Sequence, residues 1–140
     1  MKTTIIAGVC CLLLMATCAY AQQPTDAAVN RLAHVEQFAI GPVGFAGKMS
    51  TGEKDYRVIL SSPSALMQFQ KLYRIGNLQA KSYALLGVRQ VDVKEFQKLL
   101  ASLEGPSAEV ITESGCIVLH ERFVVVVKRI AAGKYDWNAK

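Results

Sequence analysis

Cys116 and His120 are the two residues of this chain whose types and closeness in sequence most favour chemistry. A thiol becomes a catalytic nucleophile when an imidazole lies about 3 Å from its sulfur. Residues 117–119 are Ile-Val-Leu, which favours a strand, and residues four apart on a strand are separated by ~13 Å. We therefore expect Cys116 to be a buried apolar side chain of a hairpin. Thiol-dependent catalysis by Cys116 and His120, or an intermolecular disulfide, is the alternative.

The stretch GPVGFAGKMS, residues 41–50, places three glycines ahead of a lysine and a serine. A Walker-type phosphate loop has four residues between its glycines, and a lysine and a hydroxyl residue follow directly. Here five residues separate Gly41 from Gly47. Pro42 lacks an amide donor that a phosphate cradle needs, and Met49 occupies the hydroxyl position. We therefore interpret the stretch as a connector and predict no cofactor there.

Metal binding and serine hydrolysis find no support in the sequence. His34 and His120 are the two histidines of the chain, and neither has a companion at the spacing of metal ligands. No serine lies in a G-x-S-x-G setting. We therefore predict neither a metal site nor a hydrolase triad.

The N-terminal segment has the layout of a secretory signal peptide. Lys2 precedes an apolar run over residues 5–19, and the run ends in the small-x-small triplet Ala19-Tyr20-Ala21. The run is shorter than the ~20 apolar residues of a bilayer-spanning helix. We predict a signal peptide over residues 1–21 and a single exported domain over residues 22–140, located in a periplasm or secreted.

A membrane-anchored lipoprotein acylated at Cys18 is the alternative to that cleavage. A lipobox has a leucine-like residue three positions before its cysteine and a small residue directly before it, whereas Met15 and Thr17 stand there. Cleavage after residue 21 leaves Cys116 as the one cysteine of the exported domain. The domain must then fold on its apolar core, without an intramolecular disulfide.

The charge distribution argues against nucleic acid as a partner. The full chain has a net charge of +5, and without Lys2 it has 15 basic and 11 acidic residues. Acids and bases alternate, as in Glu53-Lys54-Asp55, whereas nucleic-acid binders carry clustered basic surfaces. We expect no nucleic-acid partner, no integral membrane span after cleavage, and an unidentified protein partner in the cell envelope or outside the cell.

Capping and breaking residues divide the middle of the chain into short helices. Ser50 with Glu53 has the form of a capping box, and Asn77 and Asp92 are further caps. Phe96 lies with Val93, Leu100 and Leu103 on one predicted helix face. The predicted helices run over Ala27–Phe38, Glu53–Leu60, Ser62–Gly76, Leu78–Arg89 and Asp92–Gly105.

The last part of the chain changes to β-rich character. Ala108–Thr112 and Cys116–Leu119 predict two strands around a three-residue loop, Glu113–Gly115. Residues 121–132 include four consecutive valines, which favour a strand. Their apolar residues nevertheless form a helical stripe that Gly133 ends, so we predict a final helix.

These elements predict a mainly α fold: a small single domain of short antiparallel helices with a C-terminal β-hairpin and a final helix. An α+β fold is the alternative. Because no set of residues predicts a reaction, the sequence favours an exported, non-catalytic interaction or accessory protein that acts through its surface. A thiol-dependent enzyme using Cys116 and an envelope component acylated at Cys18 are the alternatives.

Overall fold

The computed structural model describes residues 24–103 and 107–136. Residues 24–32 are helical and form α1. The further helices are α2 (Thr51–Leu60), α3 (Ala65–Ile75), α4 (Leu78–Val91), α5 (Val93–Ala101) and α6 (Phe123–Ala131). The strands are β1 (Pro42–Val43), β2 (Lys48–Met49), β3 (Glu109–Ser114) and β4 (Ile117–Arg122). The predicted mainly α fold with a C-terminal hairpin and a final helix is confirmed.

Parts of the sequence analysis fall outside the described residues. The predicted signal peptide over residues 1–21 lies there, together with the lipidation candidate Cys18. The predicted helix stop at Gly105-Pro106 lies there as well. Within the part of the chain that the structure describes, no helix is both long enough and apolar enough to cross a bilayer.

Side chains satisfy the first amides of three helices, as the sequence predicts. Asn77 caps α4 and Asp92 caps α5, with hydrogen bonds of 2.9 to 3.1 Å to amides of the first turn. Ser50 caps α2 by accepting the amide of Glu53 at 3.0 Å. Each such cap contributes about 1 kcal/mol, so these helix starts are set locally.

The Glu53 side chain does not complete the predicted capping box. Its carboxylate is buried, and its Oε2 accepts the amide of Gly41 at 2.7 Å. Its Oε1 accepts two hydrogen bonds from the Arg57 guanidinium at 2.7 and 3.0 Å. A buried carboxylate is costly unless it is paired and hydrogen-bonded. These contacts satisfy both oxygens and fasten the glycine-rich connector to α2.

The first helix ends earlier than the sequence predicts. Its helical residues end at position 32 rather than at Phe38. The Phe38 amide donates to the Ile111 carbonyl at 2.8 Å, and its carbonyl accepts the Glu113 amide at 3.0 Å. This long-range pairing with β3 holds the segment extended and overrides a local pattern that also fitted a helix.

The start of α3 also differs from the prediction. The sequence predicts a helix over Ser62–Gly76, but residues 61–64 form a turn and the helix begins at Ala65. The Ser62 hydroxyl accepts the Ser64 amide at 3.2 Å within that turn. The predicted stop at Gly76 is confirmed, since its amide donates to the last turn of the helix.

Helix α4 lies at the centre of the core and contacts α2, α3, α5, α6 and β3. Gly87 lies where α4 meets α3, and a Cβ atom there would stand 2.4 Å from the Phe69 ring. The two helices approach closely because this position has no side chain. The fully buried apolar residues of α4 are Ala80, Tyr83, Ala84, Leu85, Leu86 and Val88.

Helix α5 contributes mainly Phe96 to the core. Phe96 is buried, and Leu100 and Leu103 are partly buried against the core. Val93 is 60% exposed, so its predicted inward position is wrong. Val93 follows the corner between α4 and α5, where the last residue of α4, Val91, is exposed as well.

The hairpin has a tighter turn than the sequence predicts. Ser114 pairs with Ile117, so the turn consists of Gly115 and Cys116 rather than of Glu113–Gly115. Gly115 has a φ of +57°, and glycine is favoured at the first position of a two-residue turn that needs positive φ. The second strand begins at Ile117 and extends to Arg122, three residues beyond its predicted end.

The final helix confirms the predicted helical stripe. Phe123, Val126, Val127 and Ile130 are the buried residues of α6. Gly133 follows the helix with a φ of +72° and ends it, as predicted. The four valines therefore join a helix, because tertiary burial of this face outweighs their β-propensity.

Candidate functional site

The structure does not bring Cys116 and His120 together as a catalytic dyad. Cys116 lies in the hairpin turn and His120 lies within β4. Residues four apart along such a chain are separated by ~13 Å. The His120 side chain is 65% exposed, and its Nδ1 lies 3.9 Å from Glu109 Oε2.

Cys116 is exposed, so its predicted burial is wrong. The physical reason is its place in the turn, beyond the last paired residues of the hairpin, Ser114 and Ile117. The thiol is therefore open to reagents, and it lacks the imidazole that a dyad requires.

The glycine-rich connector braces the tip of the hairpin. Strands β1 and β2 pair with each other, and the loop between them contacts the hairpin turn. The Gly44 amide donates to the Gly115 carbonyl at 2.7 Å, and the Gly115 amide donates to the Pro42 carbonyl at 3.3 Å. Phe45, the residue after this contact, is fully exposed.

Strand β4 exposes three consecutive large apolar side chains, and Phe45, in the loop between β1 and β2, is exposed as well. We call Phe45, Ile117, Val118 and Leu119 the hairpin-tip surface. Ile117 is 62% exposed, and Val118 and Leu119 are each 48% exposed. The other exposed large apolar residues within the described ranges lie on helices α2 to α5: Val58, Met67, Ile75, Val91 and Val93. Ile117 and Leu119 lie on one face of the hairpin and Val118 lies on the other, so these side chains flank the edge of β4 on both faces.

Strand β4 is a free edge of the sheet. Strand β3 lies between β4 and the extended segment at Phe38. With a two-residue turn, residues 117, 119 and 121 direct their backbone groups to β3, so those of Val118 and His120 point away. Within the described residues, no backbone hydrogen bond involves these outward groups. An uncovered edge of this kind accepts another strand.

A groove of about 260 Å³ lies beside the hairpin on the face of Ile117 and Leu119. Phe38, Ile40 and Tyr135 supply further apolar lining. The groove therefore continues the apolar character of the hairpin-tip surface towards the core.

Four charged residues line this groove, namely Glu113, Glu121, Arg129 and Lys134, and two of them, Glu121 and Arg129, are paired with each other. Glu121 accepts hydrogen bonds from Arg129 at 2.8 Å and from Thr112 at 2.7 Å. The hydrogen bond from Arg129 lowers the pKa of Glu121 below its ordinary value. Burial raises the pKa of Tyr135, which keeps its phenol neutral. These contacts leave the groove without an uncompensated charge from Glu121 or Arg129.

A wider cleft of about 610 Å³ lies between the end of α1 and the start of α2. Its walls include an ion pair between Arg31 and Asp55, with His34, Glu36 and Lys54 nearby. All five of these side chains belong to partly or fully exposed residues, and the two signs of charge alternate. The cleft lacks the buried, convergent polar groups that fix a small ligand.

No metal centre is found in the part of the chain that the structure describes. Over residues 24–103 and 107–136, no three His, Cys, Asp or Glu side chains are grouped closely enough to hold a metal ion. His34 is exposed at the wider cleft and His120 is exposed on β4. The two histidines thus occupy separate surfaces.

The sequence analysis missed the hairpin-tip surface, although two signals for it were present. Phe45 lies between Gly44 and Ala46-Gly47, outside every periodic apolar pattern. Ile117, Val118 and Leu119 are consecutive apolar residues, and on a strand with one covered face some of them must face outward. Both signals concern apolar residues that no predicted element covers.

The sequence matches no protein-family model, no curated protein and no solved structure. What the site can do follows from its geometry. An apolar edge with free hydrogen-bonding groups suits the addition of a polypeptide strand, whereas the separation of Cys116 from His120 does not suit thiol catalysis.

Proposed function

We propose that this chain is an exported, non-catalytic interaction protein that binds polypeptide through its hairpin-tip surface. The observation that carries the proposal is the free edge of β4, where Ile117, Val118 and Leu119 are exposed beside unpaired backbone groups. An added strand gains main-chain hydrogen bonds at such an edge and apolar contacts from its alternate side chains.

The electrostatics of this region support an apolar polypeptide as the ligand. Glu121 and Arg129 neutralise each other beside the groove, and the side chains of Ile117, Val118 and Leu119 carry no charge. The other two charged lining residues, Glu113 and Lys134, have opposite signs, so the charges that line the groove balance. An extended apolar segment matches both the edge and the groove beside it.

The export part of the proposal rests on the sequence. The basic residue, the apolar run and the triplet Ala19-Tyr20-Ala21 follow the order of a signal peptide. Intact-mass measurement of the protein from its native source tests this part. A free or cyclised Gln22 at the N-terminus is expected, whereas an acylated Cys18 would establish the anchored alternative instead.

Site-specific photo-crosslinking in the producing cells tests the binding part. A photoreactive amino acid at Leu119 is expected to form polypeptide adducts, because Leu119 lies on the free edge. The matched control is the same amino acid at Val93, an exposed apolar residue on α5. Adducts that are absent at Leu119, or equally abundant at Val93, would overturn the proposal.

A further inference from the structure

We propose that the polypeptide bound by the hairpin-tip surface is a second copy of this chain. The two β4 strands pair antiparallel about a two-fold axis at Val118 and form one four-stranded sheet. This inference rests on the proposed function, since it uses the same surface and names its partner.

The backbone of β4 permits only certain two-fold registers. The groups of Val118 and His120 point outward, while those of Ile117, Leu119 and Glu121 are bonded to β3. An outward residue must therefore face an outward residue of the second copy. Among the registers that include the apolar part of the strand, this condition is met when the two-fold axis passes through residue 118, 119 or 120.

The side chains select residue 118 among these registers. With the axis at Val118, each Ile117 faces Leu119 of the second copy, and the two Val118 residues face each other. With the axis at Leu119, each Ile117 faces the carboxylate of Glu121 instead. Directly opposed side chains determine the stability of a strand pair, so the register that opposes three apolar residues to three is favoured.

An axis at His120 is disfavoured for two reasons. It sets Val118 opposite Arg122 and Leu119 opposite Glu121. It also sets two imidazoles against each other, which is repulsive whenever both are protonated. In the register centred on Val118, Glu121 and Arg122 lie beyond the apolar pairs, beside the turn of the second copy. No charge then faces a like charge or an apolar side chain.

The second copy also completes the apolar face beside the groove. Ile117 and Leu119 point to the groove that Phe38 and Tyr135 line. Paired residues of the two copies share a face, so the same two residues of the second copy extend this face. The triplet contains no lysine or proline of the kind that protects natural edges from pairing. The edge of β4 therefore complements a second copy of itself. Its outward backbone groups face each other, its apolar side chains are opposed to apolar side chains, and no like charges are opposed.

Sedimentation of the purified protein under reducing conditions tests the dimer. A monomer–dimer equilibrium is expected, and Val118→Lys is expected to weaken it at least tenfold because two ammonium groups would meet at the axis. The matched control is Val93→Lys on α5, which should leave the equilibrium unchanged. A wild-type protein that stays monomeric at ~1 mM would overturn the inference, as would equal effects of the two lysines.

Disulfide trapping tests the register. In a Cys116→Ser background, Val118→Cys is expected to form a covalent dimer rapidly, because opposed residues on bonded strands have Cα atoms ~5.5 Å apart. His120→Cys should react slowly, since its two copies would lie ~13 Å apart along the strands. Faster trapping at position 120 than at position 118 would overturn the register.

The outcomes separate the inference from the proposed function. Adducts at Leu119 to a different polypeptide, with a monomeric purified protein, would overturn the second copy and leave the binding function intact. A Val118-dependent dimer in solution without adducts at Leu119 in cells would support the pairing and overturn the proposed cellular function.

Discussion

The core around α4 and the hairpin-tip surface differ in the burial of their side chains and in the hydrogen-bond partners of their polar groups. In α4, Tyr83 is buried, and its hydroxyl donates to the Ala39 carbonyl at 2.8 Å and accepts the Ala39 amide at 3.0 Å. At the hairpin, Val118 and Leu119 remain 48% exposed, and the outward backbone groups of Val118 and His120 lack a partner among the described residues.

This difference follows from the number of neighbours that each element has. Helix α4 is enclosed by other helices and by β3, so nearly every side chain of its middle turns is buried. Strand β4 has β3 on one side, and over residues 24–103 and 107–136 no strand pairs with its other side. The proposed binding surface thus lies apart from the core that stabilises the fold, and substitutions should affect one without the other.

The largest expected effect is in the core. Phe96→Ala removes a ring that is 1% exposed, and we expect a loss of about 3–5 kcal/mol in the free energy of unfolding because a cavity remains. Leu100→Ala should cost less, since Leu100 is only partly buried. Denaturant melts of both variants measure these losses.

Lys94→Ala is the control that tests which face of α5 is buried. Lys94 is exposed, so its replacement should change the free energy of unfolding by less than about 0.5 kcal/mol. Equal losses at positions 94, 96 and 100 would contradict the burial of one face of α5.

How much of this molecule the sequence predicts depends on the range of the interactions. Asn77, Asp92 and Ser50 cap helices through bonds within one turn, so their helix starts could be read from adjacent residues. The stripe of α6 was likewise visible as a period of apolar residues. Phe38 could not be placed, because its partner Ile111 lies far along the chain.

The candidate site could not be predicted for a related reason. The run Ile117–Leu119 indicates a strand, and apolar strands are usually covered. Whether another element covers β4 depends on the arrangement of the whole domain. The exposure of Cys116 depends in addition on a two-residue turn, which moved the cysteine out of the strand where the sequence placed it.

A further loss of stability is expected at the contact between α4 and Ala39, which lies in the extended segment before the connector. Tyr83→Phe leaves the buried Ala39 amide without its acceptor, and we expect a loss of about 1–3 kcal/mol. The variant should keep the fold, since the ring remains. Denaturant melts at neutral pH measure the loss, and an unchanged free energy would show that the Ala39 contact contributes little.

The same tyrosine should make stability fall at alkaline pH. Burial raises the pKa of Tyr83 from 10.0 to about 12. Its contribution is fully present below pH ~10 and is lost as the pH rises through about 12, because the folded state must release a proton that it binds more tightly. Tyr83→Phe should lessen this alkaline decline in the free energy of unfolding. An equally steep decline in the variant would mean that other groups, such as Tyr56, cause it.

A smaller loss of stability is expected at acidic pH, from the pair of Glu121 and Arg129 at the base of the hairpin. The Arg129 hydrogen bond lowers the pKa of Glu121, so the pair stabilises the fold above the ordinary pKa of a glutamate. That contribution is lost as the pH falls through the lowered value. Glu121→Gln should therefore flatten the decline of stability below pH ~4.5. Thermal melts across this range measure the slope, and an unchanged slope would contradict the assignment.

The smallest expected effect on stability is at the hairpin turn, where the comparison with the core is sharpest. Cys116→Ser replaces an exposed side chain, so the free energy of unfolding should change by less than about 0.5 kcal/mol. The native thiol should also react with a thiol reagent nearly as fast as the unfolded thiol, because the fold does not cover it. A protected native thiol, or a loss above about 1 kcal/mol, would mean that the turn is buried like the core. A measured turnover that disappears in Cys116→Ser would instead establish the thiol-dependent enzyme and remove the non-catalytic assignment.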